Sequence, residues 1–147
     1  MPGRELDERI FDDGETVIAE GDTSREMFII REGRAVVTKS VSGSDVFLAT
    51  LERGDFFGEM SLLESLPRNA TVRAIGRTRL VVLRAVDLLL KIRRDPTFAF
   101  EMLQRMSGRI RQLNQKVIDL LESERISRER VDKLMTAVEY SGRSHPE

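Results

Sequence analysis

The chain has no cysteine and only one histidine, and these two absences remove most catalytic possibilities. Without thiols there is no disulfide, no thiolate nucleophile and no cysteine-based redox centre, a composition compatible with a reducing compartment. The single histidine, His145, precedes Pro146 close to the C-terminus, so no set of imidazoles can converge on a metal inside a rolled β-fold. No nucleophile–base couple or paired carboxylate stands out either. The expectation is a protein that is not an enzyme and carries no metal or cofactor. Long apolar runs are also missing: nothing approaches the length of a membrane span, and Met1 to Leu6 lacks the apolar stretch of a signal peptide. Charge of one sign is missing too. The 24 basic and 25 acidic residues leave a net charge of −1, which gives no global pull toward nucleic acid. The expected location is the cytoplasm, with no membrane contact.

What is present is enough for one ordinary core: 147 residues, of which 40% are hydrophobic. The first part is β-rich. Residues 16–19, 27–31, 34–39, 46–51, 71–74 and 78–83 are short runs rich in branched side chains. Between them stand the turn signals Asp12-Asp13-Gly14, Glu20-Gly21-Asp22, Glu32-Gly33, Ser42-Gly43-Ser44, Arg53-Gly54-Asp55 and Ile75-Gly76-Arg77. Strands at this spacing with glycine turns predict a sandwich, barrel or roll, interrupted by a helical turn or two near Glu59.

The pattern changes after Arg84. Residues 86–92 have helical spacing and stop before Asp95-Pro96, where Asp95 suits an N-cap and Pro96 a first helical residue. From Thr97 to about Tyr140 there is no proline, and Gly108 is the only glycine, a place for a bend. With heptad position a at Leu103, the a positions are Leu103, Ile110, Val117, Glu124, Val131 and Val138. The d positions are Met106, Leu113, Leu120, Ser127, Leu134 and Ser141, so nine of the twelve are apolar. That predicts a coiled coil rather than a helix lying on its own domain. Glu124 and Ser127 interrupt the seam as a polar layer or as a helix boundary. Leu121 and Met135 at e positions leave assemblies larger than two strands open. Between residues 103 and 140, eight basic and six acidic residues alternate as on a solvated surface, without the basic block of a DNA-gripping helix.

The most informative stretch is Phe57-Gly58-Glu59-Met60-Ser61-Leu62-Leu63-Glu64-Ser65-Leu66-Pro67-Arg68-Asn69-Ala70-Thr71-Val72. A helix that starts at a glycine presents free backbone N–H groups and a positive dipole end to an anion. Ser61 can add a hydroxyl donor, and Arg68 a planar fork for two phosphate oxygens. Glu59 has only acceptors, useless to a phosphate but suited to a ribose hydroxyl. Together these residues are equipped to hold a compact sugar phosphate. The plainer alternative is a surface ion pair between Glu59 or Glu64 and Arg68.

At these residues the chain resembles the phosphate-binding cassette of cyclic nucleotide-binding domains, whose pattern is F-G-E-x-[AS]-L-L followed by P-R-x-A-[ST]-V. That family includes the bacterial catabolite activator protein, protein kinase A regulatory subunits and cyclic nucleotide-gated channels. The resemblance extends to Glu20-Gly21-Asp22, Met27 to Ile30, Gly33 to Val37 and Gly54-Asp55-Phe56-Phe57, and covers about residues 9 to 120. It implies a mainly β fold with α: a jelly-roll-like β-roll over residues 9–95 with its cassette at 57–72. A long C-terminal helix over 96–141 and a flexible tail at 142–147 complete the expected organisation. The family's leading helix is expected to be missing or reduced to about Arg4 to Arg9. No DNA-binding helix-turn-helix is expected after the long helix, and so no direct DNA binding.

The resemblance further implies a cyclic nucleotide ligand, cAMP or cGMP, held by Phe57, Gly58, Glu59, Met60, Ser61, Arg68, Asn69 and Ala70. In relatives the helix after the roll is both dimer seam and lid, which places Leu113 and Asn114 against the purine; Asn114 could equally be an exposed residue without a partner. A serine or threonine after the cassette arginine often accompanies cGMP preference in the family. This chain has Asn69 there, and cAMP is the expected ligand. The implied output is a conformational signal to an unidentified effector protein, or through a homodimer of the long helix. Two alternatives are a scaffold with a degenerate pocket and a transcription regulator whose DNA-binding module is separate.

Overall fold

A computed structural model describes residues 6–142. Its elements in chain order are β1 (Asp7–Phe11), β2 (Thr16–Ile18), β3 (Met27–Val41), β4 (Ser44–Leu51), β5 (Phe56–Phe57), α1 (Glu59–Glu64), β6 (Thr71–Leu83), α2 (Ala85–Arg94) and α3 (Pro96–Gly142). The architecture is an antiparallel β-roll followed by a long C-terminal helix. Strand order is β1-β6-β3-β4, with β2 also on β6 and β5 on β3.

The roll is organised by two long strands. β3 and β6 run antiparallel from Met27↔Leu83 to Thr38↔Thr71, with register shifts around Glu32. Alternation puts Phe28, Ile30, Leu80 and Val82 into the core, with Ile18, Ala35, Leu51, Phe57 and Val72 completing it. Along β3 the core cluster takes the even-numbered Phe28 and Ile30, then the odd-numbered Ala35 with Val37 packed against it. The irregularity between them swaps the faces, as an extra residue in a ladder must.

Two of the turns expected from the sequence are not turns. Glu32-Gly33 and Ile75-Gly76-Arg77 lie inside the continuous strands β3 and β6. Gly33 has φ of 89°, and a Cβ there would sit 2.6 Å from Thr78 Oγ1 and 2.7 Å from the Arg77 carbonyl. Only glycine fits that bulge. Thr78 is fully buried beneath it, and its hydroxyl donates to the Arg34 carbonyl at 2.9 Å. The N-terminal expectation also needs correction. Asp7 to Arg9, read as the remnant of a leading helix, belong to β1, which pairs with β6 from Asp7↔Val82 to Phe11↔Thr78. An edge strand can carry such charged residues because its side chains face water.

The chain divides into two compact units, residues 1–99 and 100–147. The first holds the roll, α1 and α2, and α3 starts at Pro96 within it. The second is the remainder of α3, unbroken through Gly108 to Gly142. Of the expected tail, Gly142 is the last helical residue; residues 143–147, including His145, lie outside those described, as do Met1 to Glu5.

Candidate functional site

The cassette is built from a strand end, one short helix and a strand start. Phe56 and Phe57 pair with Ile29 and Phe28 as β5. The Phe57 ring stacks on Phe28 at 5.2 Å between centroids, which anchors the strand just before the turn. Gly58 then caps α1 with φ of 82°. A Cβ at this position would lie 2.8 Å from both Arg68 Nη1 and the Glu26 carbonyl oxygen. Conformation and space both demand glycine here.

From Gly58, α1 presents its first turn. The amides of Met60 and Ser61 have no acceptor within the helix because of their position. Ser61 is the buried residue of α1; Glu59 is half-buried and Met60 exposed. The helix ends at Ser65 in the left-handed region with φ of 56°, its N–H on the Ser61 carbonyl. Leu66 and Pro67 lead the chain to Arg68. There the backbone pairs with the loop after β2: Arg68 N–H donates to the Asp22 carbonyl and Gly21 N–H to the Arg68 carbonyl, both at 2.8 Å. Ala70 is buried, and Val72 continues into the core beside Ile18 and Val37.

Arg68 is the decisive residue of the site. It is 3% exposed, so a full guanidinium sits inside the protein. Nε donates to Ser24 Oγ at 3.2 Å, Nη1 to the Gly58 carbonyl at 3.0 Å and Nη2 to the Glu26 carbonyl at 2.7 Å. The Glu26 carboxylate lies 3.9 Å from Nη2. Burial lowers the Arg68 pKa, opposed by the charges of Glu26, Asp22 and Glu59. Arginine stays protonated under any such shift. Of its five N–H groups, the three named bonds use Nε–H and one on each terminal nitrogen. The other N–H on each terminal nitrogen is not used by these three bonds. Arg68 is therefore a buried group held by these bonds, with the Glu59 charge acting on it, rather than one half of a surface ion pair.

Asn69 is exposed, with its amide 3.5 Å from Met60 Sδ and its carbonyl accepting from Lys39 Nζ at 2.7 Å. Lys39 also reaches Glu20 at 3.6 Å, and Glu20 binds the Ser40 N–H. Glu20 N–H donates to Thr71 Oγ1 at 3.0 Å. The loop between β2 and β3, together with Lys39 and Ser40 of β3, is thereby tied to the C-terminal end of the cassette. Sequence reasoning missed Ser24, Glu26 and Lys39. Each lies about 30 to 44 residues from the group it binds, and nothing in their local pattern marks them.

Phe57, Gly58, Glu59, Met60, Ser61, Arg68, Asn69 and Ala70 are thus brought together in the first unit. Leu113 and Asn114 belong to the second unit, both exposed on α3. A separate open depression of about 790 Å³ is lined by Asp7, Glu8, Arg31, Arg84 and Asp87 among others, and shares no residue with the cassette.

This arrangement coincides with a known family. The family model described as a cyclic nucleotide-binding domain matches residues 8–95. The chain belongs to the cyclic nucleotide-binding domain family. It is 45% identical over 83 residues to a cAMP-dependent protein kinase regulatory subunit of Mycosarcoma maydis, covering 56% of this chain and 16% of that protein. It is 32% identical over 117 residues to the cyclic AMP receptor protein of Thermus thermophilus, covering 79% of this chain and 54% of that one. Among solved structures, the Thermus thermophilus catabolite activator protein superposes with a TM-score of 0.69 at 30% identity, over 80% of this chain and 55% of that one. The chain thus spans between about a sixth and about half of these curated relatives.

Proposed function

We propose that the chain is a regulatory module that binds a cyclic nucleotide, preferentially cAMP, and passes its ligand state to a partner by conformational change. One observation carries this reading: a guanidinium buried in the cassette, fixed by three hydrogen bonds, with one N–H left on each terminal nitrogen. A buried cation is costly unless something repays its desolvation, and a cyclic phosphate would add charge and acceptors to those that Glu26, Asp22 and Glu59 already provide. The amides of Met60 and Ser61 and the Ser61 hydroxyl complete the phosphate cradle. Glu59 accepts from the ribose hydroxyl. Phe57, Gly58 and Ala70 form the close-packed wall that lets the ligand backbone approach, and Met60 and Asn69 stand at the rim. The preference for cAMP is supported by the relatives, which include cAMP-dependent protein kinase regulatory subunits and a cyclic AMP receptor protein.

No reaction is assigned to the chain. The relatives above carry regulatory names, and the likeness to an EAL enzyme at 24% identity is one of fold alone. α3 is proposed to pair with a second copy of the chain, because its heptad stripe stays exposed: Ile110, Leu113, Val117, Leu120, Val131, Leu134 and Val138 all face solvent in the single chain. The alternating charges of α3 suit such a seam better than contact with DNA. No helix among the described residues is long and apolar enough to cross a membrane, and the cytoplasm is the compartment this reading implies. The test is calorimetric titration with cAMP, cGMP and a cyclic dinucleotide. Saturable binding of cAMP, tighter than of the other two, supports the proposal. Absence of binding by all three at millimolar concentration replaces it with an assembly role for the roll and helix.

A further inference from the structure

Resting on the reading that Arg68 receives a cyclic phosphate, we infer that the Glu26 carboxylate is the standing counter-ion of that guanidinium, and that it makes the cassette select singly charged phosphates over doubly charged ones. Glu26 comes to the site from outside the cassette, at the end of the loop before β3. Its backbone packs against the cassette turn. The Glu26 carbonyl accepts from Arg68 Nη2 at 2.7 Å and lies 2.8 Å from where a Cβ on Gly58 would sit. Its carboxylate lies 3.9 Å from the same Nη2. A phosphate oxygen that takes the second N–H of Nη2 therefore arrives beside that carboxylate.

The acids around Arg68 are not equivalent. Burial lowers the Arg68 pKa, and of the charges that oppose it Glu26 acts most strongly, ahead of Asp22 and Glu59. Asp22 is engaged within its own loop, accepting from the Thr23 N–H at 2.7 Å and the Ser24 hydroxyl at 3.2 Å. Glu59 has the ribose to bind. Glu26 has no part in holding the ligand, and its place beside the guanidinium calls for another role. The Arg68 side chain is 1% exposed and cannot turn to water for neutralisation, whereas that of Glu26 is 29% exposed and can stay charged whether or not an anion enters. The carboxylate thus stabilises the empty site and repels whatever anion fills it. That repulsion grows in proportion to the charge of the ligand. A cyclic phosphate diester carries one negative charge. An open phosphate monoester, with a second pKa of about 6, carries nearly two at neutral pH. Glu26 penalises the open form about twice as much in free energy, so the fold-change for it is close to the square of that for the cyclic form.

The test is calorimetric titration of cAMP and of 5′-AMP into the full chain and into Glu26→Gln, with melts of both proteins without ligand. Glutamine removes the charge and leaves the backbone carbonyl that braces Arg68. The variant should melt below the parent yet bind cAMP about three- to tenfold more tightly and 5′-AMP about ten- to a hundredfold more tightly. A purely structural role for Glu26 would lower stability and affinity together. Glu26→Ala should show the same gains, which keeps the test open should the glutamine variant fail to fold. Glu64→Gln is the control: it removes the same charge from an exposed position on α1 that is not among those acting on Arg68, and it should leave both affinities unchanged. Equal or weaker cAMP binding by the Glu26 variants, or an equal gain in the Glu64 control, overturns the counter-ion role. Equal gains for the two ligands, or no measurable 5′-AMP binding by a variant that has gained affinity for cAMP, overturns the selection by charge. A parent that binds no cAMP is a distinct failure, that of the cassette reading itself.

Discussion

Truncating Arg68 to alanine removes three hydrogen bonds that brace the cassette, to Ser24 and to the carbonyls of Gly58 and Glu26. Each is worth about 0.5–1.5 kcal/mol net, somewhat more when the donor is charged. The loss is offset in part because a buried cation no longer has to be desolvated, the same burial that lowers the Arg68 pKa. The expected cost to the unliganded fold is about 1–3 kcal/mol, a drop of roughly 3–10 °C in melting temperature for a domain of this size. That leaves a folded protein if its stability lies in the usual range of about 5–15 kcal/mol. Ligand binding should suffer more. Removing one partner of a charge pair in a desolvated site costs about 2–5 kcal/mol, or roughly thirty- to several-thousand-fold in affinity. Arg68→Lys keeps the charge without the fork and should fall between parent and alanine variant. The assay is a pair of melts with and without cAMP for each protein, followed by titration calorimetry. The parent should gain thermal stability with ligand and Arg68→Ala should gain almost none. An alanine variant that melts like the parent and binds cAMP equally well would refute both the bracing and the binding role.

Gly58→Ala should lower both stability and affinity: the left-handed backbone costs about 1–2 kcal/mol for a residue with a Cβ, and that Cβ would meet Arg68 and the Glu26 carbonyl at 2.8 Å. Gly14→Ala is the control, because its φ of 80° opens into free space, and melts should show the smaller loss there. In calorimetry Glu59→Gln should weaken cAMP binding by about 1–2 kcal/mol, since an amide oxygen still accepts but without charge. Asn69→Ala, exposed and with only a sulfur contact on its side chain, should cost less than about 1 kcal/mol. Val117→Asp together with Leu134→Asp should turn the full chain monomeric in light scattering, because each places a charge in the proposed seam.

The cassette could be read from the sequence because its chemistry is contiguous. Gly58, Glu59, Ser61 and Arg68 fall within a dozen residues, and each residue type has few other uses at that spacing. What holds the site together could not be read. Ser24 and Glu26 reach Arg68 through a fold of the chain, and the burial of Arg68 depends on contacts between elements far apart in sequence. The same division runs through the fold. The alternation of Phe28, Ile30, Leu80 and Val82 marks strands directly, whereas Glu32-Gly33 looks alike as a turn or as a bulge. Only the approach of Thr78 and Arg77 decides between them. β1 was hidden for a different reason. Asp7, Glu8 and Arg9 have poor strand propensity, and their pairing with β6 overrides it.

The central claim is that the cassette of this chain is a cyclic nucleotide site built on Arg68. Calorimetric titration of cAMP into the parent and into Arg68→Ala, each first shown to have a cooperative melt, tests it most directly. The account predicts saturable binding by the parent and a loss of about thirty-fold or more in the variant. Equal affinity in the two proteins, or no heat of binding from the parent at millimolar cAMP, would contradict it.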